Sequence, residues 1–216
     1  MLWDIANRGR PLCGLVVSAS NVVGYCKQME PQCSSQPCIH QGKCVEGWNR
    51  FTCDCRATGY TGSVCQSAAV TLRFDGTQYL KVSMPQEAST QAEDISLRFR
   101  TMHGSGLLFL TSGENGDGLE LYLEKGTLFL SVIVGSGAKV LSAGHSLGDD
   151  RWHTVIIQRR MDKVKVAIDA QRPMADQIPG NTFSMTTSKI LVGLSSTPES
   201  DGSFVLLSCV AHSHLL

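Results

Sequence analysis

The stretch CSSQPCIHQGKCVEGWNRFTCDCRATGYTGSVC, residues 33–65, decides how the first part of this chain folds. It contains six of the nine cysteines of the chain. A segment this short cannot bury enough apolar surface to fold on core packing alone. Three disulfides would each stabilise it by about 2–4 kcal/mol, mainly by restricting the unfolded chain. We therefore expect a disulfide-stapled module made in an oxidising compartment, although spacing alone does not choose among the many pairings that six cysteines allow.

A zinc site is the alternative interpretation of the same cysteines. Structural zinc is usually held by four ligands arranged in Cys-x2–4-Cys knuckles. The segment Cys53-Asp54-Cys55 is spaced too tightly for such a knuckle, and six cysteines are too many for one ion. The disulfide interpretation is therefore the preferred one.

The cysteine spacing and three further features resemble an EGF-like module. These features are Gly42 before the third cysteine of the stretch, Phe51 two residues before the fourth, and Gly59-Tyr60-Thr61-Gly62 before the sixth. In that family the first cysteine pairs with the third, the second with the fourth, and the fifth with the sixth. The resemblance therefore implies the disulfides Cys33–Cys44, Cys38–Cys53 and Cys55–Cys65.

The same resemblance carries expectations about calcium and about glycosylation. Calcium-binding EGF-like modules have acidic residues before the first cysteine and Asp or Asn two positions after the third, where this chain has Glu46. Calcium binding by this module is therefore not expected. Residues 33–38 match the family pattern Cys-x-Ser-x-Pro-Cys for O-glucosylation, which implies a sugar on Ser35.

Length and charge restrict the class of the whole chain. Its 216 residues accommodate two small domains. Nineteen Lys and Arg balance nineteen Asp and Glu, so nothing suggests binding to nucleic acid or to a polyanionic membrane surface. No apolar run approaches the ~20 residues needed to span a bilayer, so we expect any membrane anchor to lie in a longer parent protein.

Residues 1–30 contain no recognisable motif. Two arginines precede the apolar residues 12–17, an order that resembles a weak secretory signal. The interpretation that we prefer is the tail of a preceding domain in a longer parent chain. Cys13 and Cys26 would then either have lost a partner upstream or pair with each other.

From Ala69 onward, apolar and polar residues alternate with the period of a β-strand. Gly-rich turn signals separate these runs, and no long segment has a helical period. We therefore expect an antiparallel β-sandwich with half-buried strands. The apolar members of the four clearest runs are Val70, Leu72 and Phe74; Ile95, Leu97 and Phe99; Leu119, Leu121 and Leu123; and Val164, Val166 and Ile168.

Several segments of this second part resemble a laminin G (LNS) domain, whose fold is a jelly-roll sandwich. They are Phe74-Asp75-Gly76, residues 92–100, Gly118-Leu119-Glu120-Leu121 and residues 149–155. An EGF-like module followed directly by such a domain is the repeating unit of the neurexin family. Residues 46–51 and 53–60 resemble the first EGF-like module of an α-neurexin, and the domain that follows resembles its third LNS domain. Contactin-associated, agrin-like and perlecan-like proteins share this architecture.

These resemblances imply a division of the chain into an unassigned segment 1–30, an EGF-like module 31–66 and an LNS domain 69–216. The linker between the two domains is very short, which should limit their relative motion. The likeness to an LNS domain ends after about residue 195, and the domain is shorter than a complete one. We therefore expect its C-terminal strands to be missing, with neighbouring edges unpaired and Cys209 lacking its disulfide partner.

The LNS resemblance also implies a calcium site at one rim of the sandwich, where partners dock. Asp117 matches the carboxylate ligand of the family, and Val134 matches one backbone carbonyl ligand. Such a hard cation needs about six oxygens. The position of the family's Asn ligand is occupied by Met185, next to Ser184, while Asn181 is near but out of register. The alternative is that Asp117 simply favours a β-turn.

No catalytic constellation is evident in the sequence. The histidines are scattered, and we expect them at the surface or at strand ends. No Ser or Cys nucleophile has a recognisable signature around it. We expect a non-enzymatic extracellular or cell-surface adhesion protein, synaptic if it is neurexin-like, that binds a protein or glycan through the rim loops. The EGF-like module would act as a stapled spacer. One alternative is a basement-membrane module of the laminin G type that binds matrix glycans, and another is an ancillary region of a secreted enzyme. The basic residues that would favour glycan binding are Arg159, Arg160, Lys163 and Lys165.

Overall fold

The computed structural model describes residues 11–18, 21–28, 31–47, 50–75, 78–193 and 205–209. The chain divides into two compact units, Met1–Ala68 and Ala69–Leu216. Strands dominate both units, and within the described ranges the one helical element is a single turn of 3-10 helix, Gln32–Ser35. No helix in these ranges is long and apolar enough to cross a membrane.

The first unit begins with two antiparallel strands, β1 (Pro11–Ser18) and β2 (Asn21–Gln28). Paired valines, Val16 opposite Val23 and Val17 opposite Val22, favour this extended pairing. Strands in this segment were not predicted from the sequence. The register places Cys13 directly opposite Cys26.

The EGF-like part of this unit is built on short strands and disulfides. The strands are β3 (Lys43–Gly47), β4 (Arg50–Asp54), β5 (Tyr60–Thr61) and β6 (Ser67–Ala68), with β3 paired to β4 and β5 to β6. The disulfides are Cys33–Cys44, Cys38–Cys53 and Cys55–Cys65, with Cα–Cα separations of 5.8, 5.6 and 5.5 Å.

Almost no hydrophobic core supports this module. Cys65 is the one buried residue among the described positions 31–68. A Cβ on Gly42 would collide with the sulfur of Cys65, which explains why glycine precedes the third cysteine of the stretch. The disulfides therefore supply the stabilisation that apolar burial supplies in a larger domain.

The second unit is a sandwich of two six-stranded antiparallel sheets, as the alternating pattern predicted. One sheet has the strand order β13-β12-β11-β10-β17-β8, and the other has the order β16-β15-β14-β9-β18-β7. The strands are β7 (Leu72–Phe74), β8 (Leu80–Thr90), β9 (Ala92–Thr101), β10 (Gly106–Ser112), β11 (Gly118–Glu124), β12 (Thr127–Val134), β13 (Gly137–Ala143), β14 (His153–Arg160), β15 (Lys163–Ile168), β16 (Met174–Gln177), β17 (Met185–Val192) and β18 (Val205–Cys209).

The core of the sandwich consists of every second residue of the central strands. Leu119, Leu121 and Leu123 of β11 are at most 4% exposed, whereas Glu120 and Glu124 between and after them are exposed. Because successive strand side chains point to opposite faces, this alternation buries one face of the sheet. The predicted inward positions of β9, β11 and β15 are accordingly in the core, except Ile95, which is partly buried and packs against it.

The predicted burial of alternate residues is only partly confirmed at the start of the second unit. Phe74 is buried, but Val70 and Leu72 are 78% and 37% exposed. Val70 precedes β7, and β7 is a three-residue strand at the edge of its sheet. An edge strand covers little of the core, so the alternation there does not produce burial.

The C-terminal part differs from the expectation that the closing strands are missing. Residues Val205–Cys209 form β18, which pairs with β9 on one side and with β7 on the other. Val205, Leu206 and Leu207 form a short apolar run, as is typical of a strand with a neighbour on each side. We expected neighbouring edges to be unpaired, but the facing edges of β7 and β9 are paired by this segment.

Candidate functional site

Three segments of the laminin G-like sandwich meet around the side chain of Asp117. The first is the turn of residues 113–117 between β10 and β11, and the second is the turn of residues 135–136 between β12 and β13. The third is the start of β17 at Met185 and Thr186. These segments form one rim of the sandwich, and the site is called the Asp117 rim below.

The carboxylate of Asp117 accepts hydrogen bonds from three N–H donors and has a shared contact with one hydroxyl. Oδ1 accepts the backbone N–H of Gly135 at 2.7 Å. Oδ2 accepts the backbone N–H of Thr186 at 2.8 Å and Nδ2 of Asn115 at 2.9 Å. It also lies 3.1 Å from the hydroxyl of Thr186, which shares its one proton between this oxygen and the nearer Oδ1 of Asn115. Both oxygens of the carboxylate therefore have protein donors, with most of the contacts on Oδ2.

Asp117 remains ionised although it is buried. Its exposed fraction is 1%. Burial by itself would raise the pKa of Asp117, but the hydrogen bonds from Thr186, Gly135 and Asn115 outweigh this and hold the pKa below its ordinary value. The charge is thus stabilised by donors that are already in place.

A second layer of contacts fixes the turn itself. Oδ1 of Asn115 accepts the backbone N–H of Asp117 at 3.1 Å and also the hydroxyl of Thr186. Glu87, on β8, accepts the backbone N–H of Glu114 at 2.9 Å. The turn is therefore bound to β17 through Thr186 and to β8 through Glu87.

The segments approach too closely to leave space between them. A Cβ on Gly113 would collide with the hydroxyl and the carbonyl of Thr186, and a Cβ on Gly135 would lie 2.8 Å from Cβ of Thr182. Gly135 also has a positive φ of 58°, which glycine adopts without strain. Glycine at both positions lets the rim segments pack directly against each other.

The structure brings together only part of the calcium ligand set that the sequence suggested. Asp117 lies beside Gly135, and Val134 is the last residue of β12, opposite Gly137. Met185, which occupies the position of the family's Asn, is 1% exposed and lies in the core. Ser184 forms a hydroxyl contact of 2.6 Å with Ser89.

These residues do not fit a calcium ion in this arrangement. Oδ2 of Asp117 is occupied by protein donors and Oδ1 already accepts the N–H of Gly135. Met185 offers no side-chain oxygen, and the close packing of Thr186 on Gly113 leaves no cradle. Among the residues that the structure describes, no group of three or more His, Cys, Asp or Glu is arranged to hold a metal.

Thr186 and Asn115 were not identified from the sequence as members of this site. Asn115 could have been, because an Asn whose side chain accepts the N–H two residues later is an Asx-turn, and Gly113-Glu114-Asn115-Gly116-Asp117 has the composition of one. Thr186 gives no such signal, since it lies 69 residues away and reaches Asp117 only through strand pairing.

The suggested basic patch of four residues does not include Arg159. The side chain of Arg159 is fully buried, where it pairs with Glu93 and donates to the carbonyls of Thr90, Met161 and Phe183. Arg159 shares the inward phase of β14 with Val155 and Ile157. The outer positions carry Arg160, which pairs with Asp94, together with Lys163 and Lys165.

His153 is at a strand end, as expected, but is buried rather than at the surface. It begins β14 and is 8% exposed. Its Nδ1 lies 2.9 Å from Asp169 and its Nε2 lies 2.9 Å from Asp149. Burial would lower the pKa of His153, but the two carboxylates outweigh it and raise the pKa above its ordinary value. With an acceptor at each nitrogen, the doubly protonated imidazolium is the form that satisfies both contacts.

Ser35, the predicted glycosylation position, is exposed at the end of the 3-10 turn. Its hydroxyl donates to the backbone carbonyl of Gln32 at 2.9 Å. The described surroundings thus leave this side chain accessible.

Comparison with known families matches both parts of the chain. The family model of the EGF-like domain matches residues 33–64, and that of the laminin G domain matches residues 99–205. Neurexin-2 of rat is 40% identical over 181 residues, which cover 76% of this chain, and human neurexin-2 is 40% identical over 178 residues. The chain is a neurexin-like EGF-like and laminin G unit. It spans 11% of the length of rat neurexin-2 and 10% of the human protein.

Solved structures agree with the laminin G fold. Domains LG4–5 of the mouse laminin α1 chain align with a TM-score of 0.55 and 20% identity, covering 67% of this chain and 43% of that one. The LG1–3 region of the laminin α2 chain aligns with a TM-score of 0.55 and 21% identity, covering 68% of this chain and 36% of that one. These likenesses concern the fold. The laminin G family match and the similarity to neurexin-2 place this neurexin-like chain among extracellular adhesion and recognition modules.

Proposed function

We propose that this neurexin-like chain binds an extracellular protein partner through the Asp117 rim, without catalytic activity of its own. The observation that supports this most strongly is the fixed arrangement of the rim. Asp117 is bound to Gly135 and Thr186 from two other segments, while the neighbouring Glu114 and Asn115 are exposed. A surface that is rigid before binding loses less entropy on association than a mobile one.

The exposed chemistry of the rim favours a protein over a polyanionic glycan. Glu114 of the rim and Glu87 of β8, which accepts its backbone N–H, are exposed acidic residues, and Ser136 of the rim and the nearby Asn181 are exposed neutral polar residues. A sulfated glycan is bound by clustered cations. The candidate basic patch lacks Arg159, and its Arg160 is paired with Asp94.

The similarity to neurexin-2 supports a cell-surface location, and we extend this to a synaptic contact between cells. In this proposal a parent protein supplies the attachment to the membrane. The EGF-like module then serves as a disulfide-held spacer.

A binding screen tests the proposed function. The secreted chain, displayed as a dimeric fusion, is applied to an array of cell-surface ectodomains and, in parallel, to heparin and heparan sulfate. We expect saturable binding to one or more ectodomains that excess heparin does not compete. Binding confined to the glycans would contradict the proposal and favour the matrix-binding alternative.

A further inference from the structure

Hydrogen-bond donors of the protein surround the carboxylate of Asp117, at the position where the laminin G resemblance suggested a bound cation. A buried carboxylate needs either a positive ion or several donors to offset its lost hydration. Here the donors come from three places: Asn115 in its own turn, Gly135 in the next hairpin, and Thr186 on β17. These donors therefore stabilise the negative charge of Asp117 without an ion.

Thr186 is the residue that makes this arrangement complete. It donates its backbone N–H to Oδ2 of Asp117, and its hydroxyl shares one proton between Oδ1 of Asn115 and Oδ2 of Asp117. The preceding residue, Met185, points into the core. Strand alternation thus puts Thr186 at the rim, one residue after the position where the laminin G resemblance suggested a ligand.

We propose that Thr186, Asn115 and Gly135 take the place of a cation at Asp117, so that the rim of this laminin G domain is locked without calcium. The close contact of Thr186 with Gly113 supports this, because an ion with its waters would have to push those two segments apart. The lock joins the 113–117 turn, the β12–β13 turn and β17 in one hydrogen-bonded unit.

The lock has a consequence for recognition, which rests on the proposed function. A partner that binds at the Asp117 rim would bind equally in calcium and in a chelator. The lock itself is tested without any partner, so its failure and the failure of the proposed binding can be told apart.

The first test is calcium titration of the intact secreted chain. Its melting temperature is measured in about 5 mM CaCl2 and in EDTA, and CaCl2 is titrated into the protein in a calorimeter. A site with a Kd of about 0.1 mM would raise the melting temperature by several degrees at this concentration. We expect no binding heat and a difference below about 1 °C; a rise of several degrees that Asp117→Asn abolishes would overturn the proposal.

The second test asks whether Thr186 carries the lock. Thr186→Val removes the hydroxyl and keeps the shape, and Thr187→Val on the same strand is the matched control. We expect Thr186→Val to lower the melting temperature by the same amount in calcium and in EDTA, and by more than Thr187→Val does. If the two variants lower it equally, or if calcium restores Thr186→Val, the proposal is wrong.

Discussion

The guanidinium of Arg159 on β14 donates to both carboxylate oxygens of Glu93 on the adjacent strand β9, with 2.7 Å between Nη2 and Oε1. Arg159 is fully buried, and its remaining donors reach the carbonyls of Thr90, Met161 and Phe183. A basic residue that the sequence suggested as a ligand-binding group is instead a junction inside the sandwich.

Replacing Arg159 should therefore cost stability rather than ligand binding. Arg159→Ala leaves the largely buried Glu93 without its charged partner and removes a donor from three carbonyls. Breaking a buried pair typically costs about 3–5 kcal/mol. Urea unfolding should show this loss, while Lys163→Ala at an exposed position of the neighbouring strand should change stability little. Equal, small effects of the two changes would contradict the buried role of Arg159.

The stability of the sandwich should depend on pH through His153. The pKa of this residue is raised in the folded state, so its contribution is fully present below its unfolded pKa of about 6.5 and is lost as pH rises through the folded pKa. Asp149 and Asp169 are the carboxylates that contact the ring, and Arg151 donates to Asp149.

We expect His153→Gln to reduce the fall in melting temperature that the wild-type chain shows above this pH. His145→Gln, at an exposed position, is the control and should leave the pH profile unchanged. A wild-type profile that is flat across neutral pH would exclude the imidazolium arrangement.

Cys13 and Cys26 should form a disulfide when the chain is secreted. Residues directly opposite in an antiparallel pair have Cα atoms about 4.5 or 5.5 Å apart, within the range of about 4.4–6.8 Å that disulfides span. A non-reducing peptide map should contain this bond beside the three EGF-like disulfides, with Cys209 as the remaining thiol. Free thiols at both positions would show that this pair lacks the bond that its register allows.

Ser35 should carry a hexose in the secreted protein. Its side chain is exposed, and the surrounding residues match the O-glucosylation pattern of EGF-like modules. Mass spectrometry of the peptide spanning residues 33–38 should show the added mass, which Ser35→Ala should remove and Ser34→Ala should retain. An unmodified peptide from a mammalian secretory host would contradict the assignment.

The sequence was sufficient to predict those features that repeat or that belong to a local motif. The cysteine spacing predicted the EGF-like module, and the alternation of Leu119, Leu121 and Leu123 predicted a half-buried strand of a sandwich. The inward phase of Val155 and Ile157 extends to Arg159, so its burial could have been predicted by continuing the same alternation. The neighbouring Arg160, Lys163 and Lys165 instead suggested that Arg159 belonged to a basic surface patch.

Features that depend on distant strand pairing were not predictable from the sequence. Thr186 contacts Asp117 because β17 lies beside β10 in the sheet, and no local pattern indicates that neighbour. The position of β18 between β7 and β9 was also not predictable, because a short apolar run does not specify which strands it pairs with.

The central claim is that the Asp117 rim binds the partner, and one comparison tests it most directly. Glu114 lies at the rim and Glu124 lies at the other end of β11, and both are exposed glutamates. Binding of Glu114→Lys and Glu124→Lys to the ectodomain selected by the screen is measured by surface plasmon resonance, after equal melting temperatures have been verified. We predict that Glu114→Lys weakens binding at least about tenfold, or 1.4 kcal/mol, and that Glu124→Lys binds like wild type. Unchanged binding by Glu114→Lys together with loss by Glu124→Lys would place the binding surface at the opposite end and contradict the account.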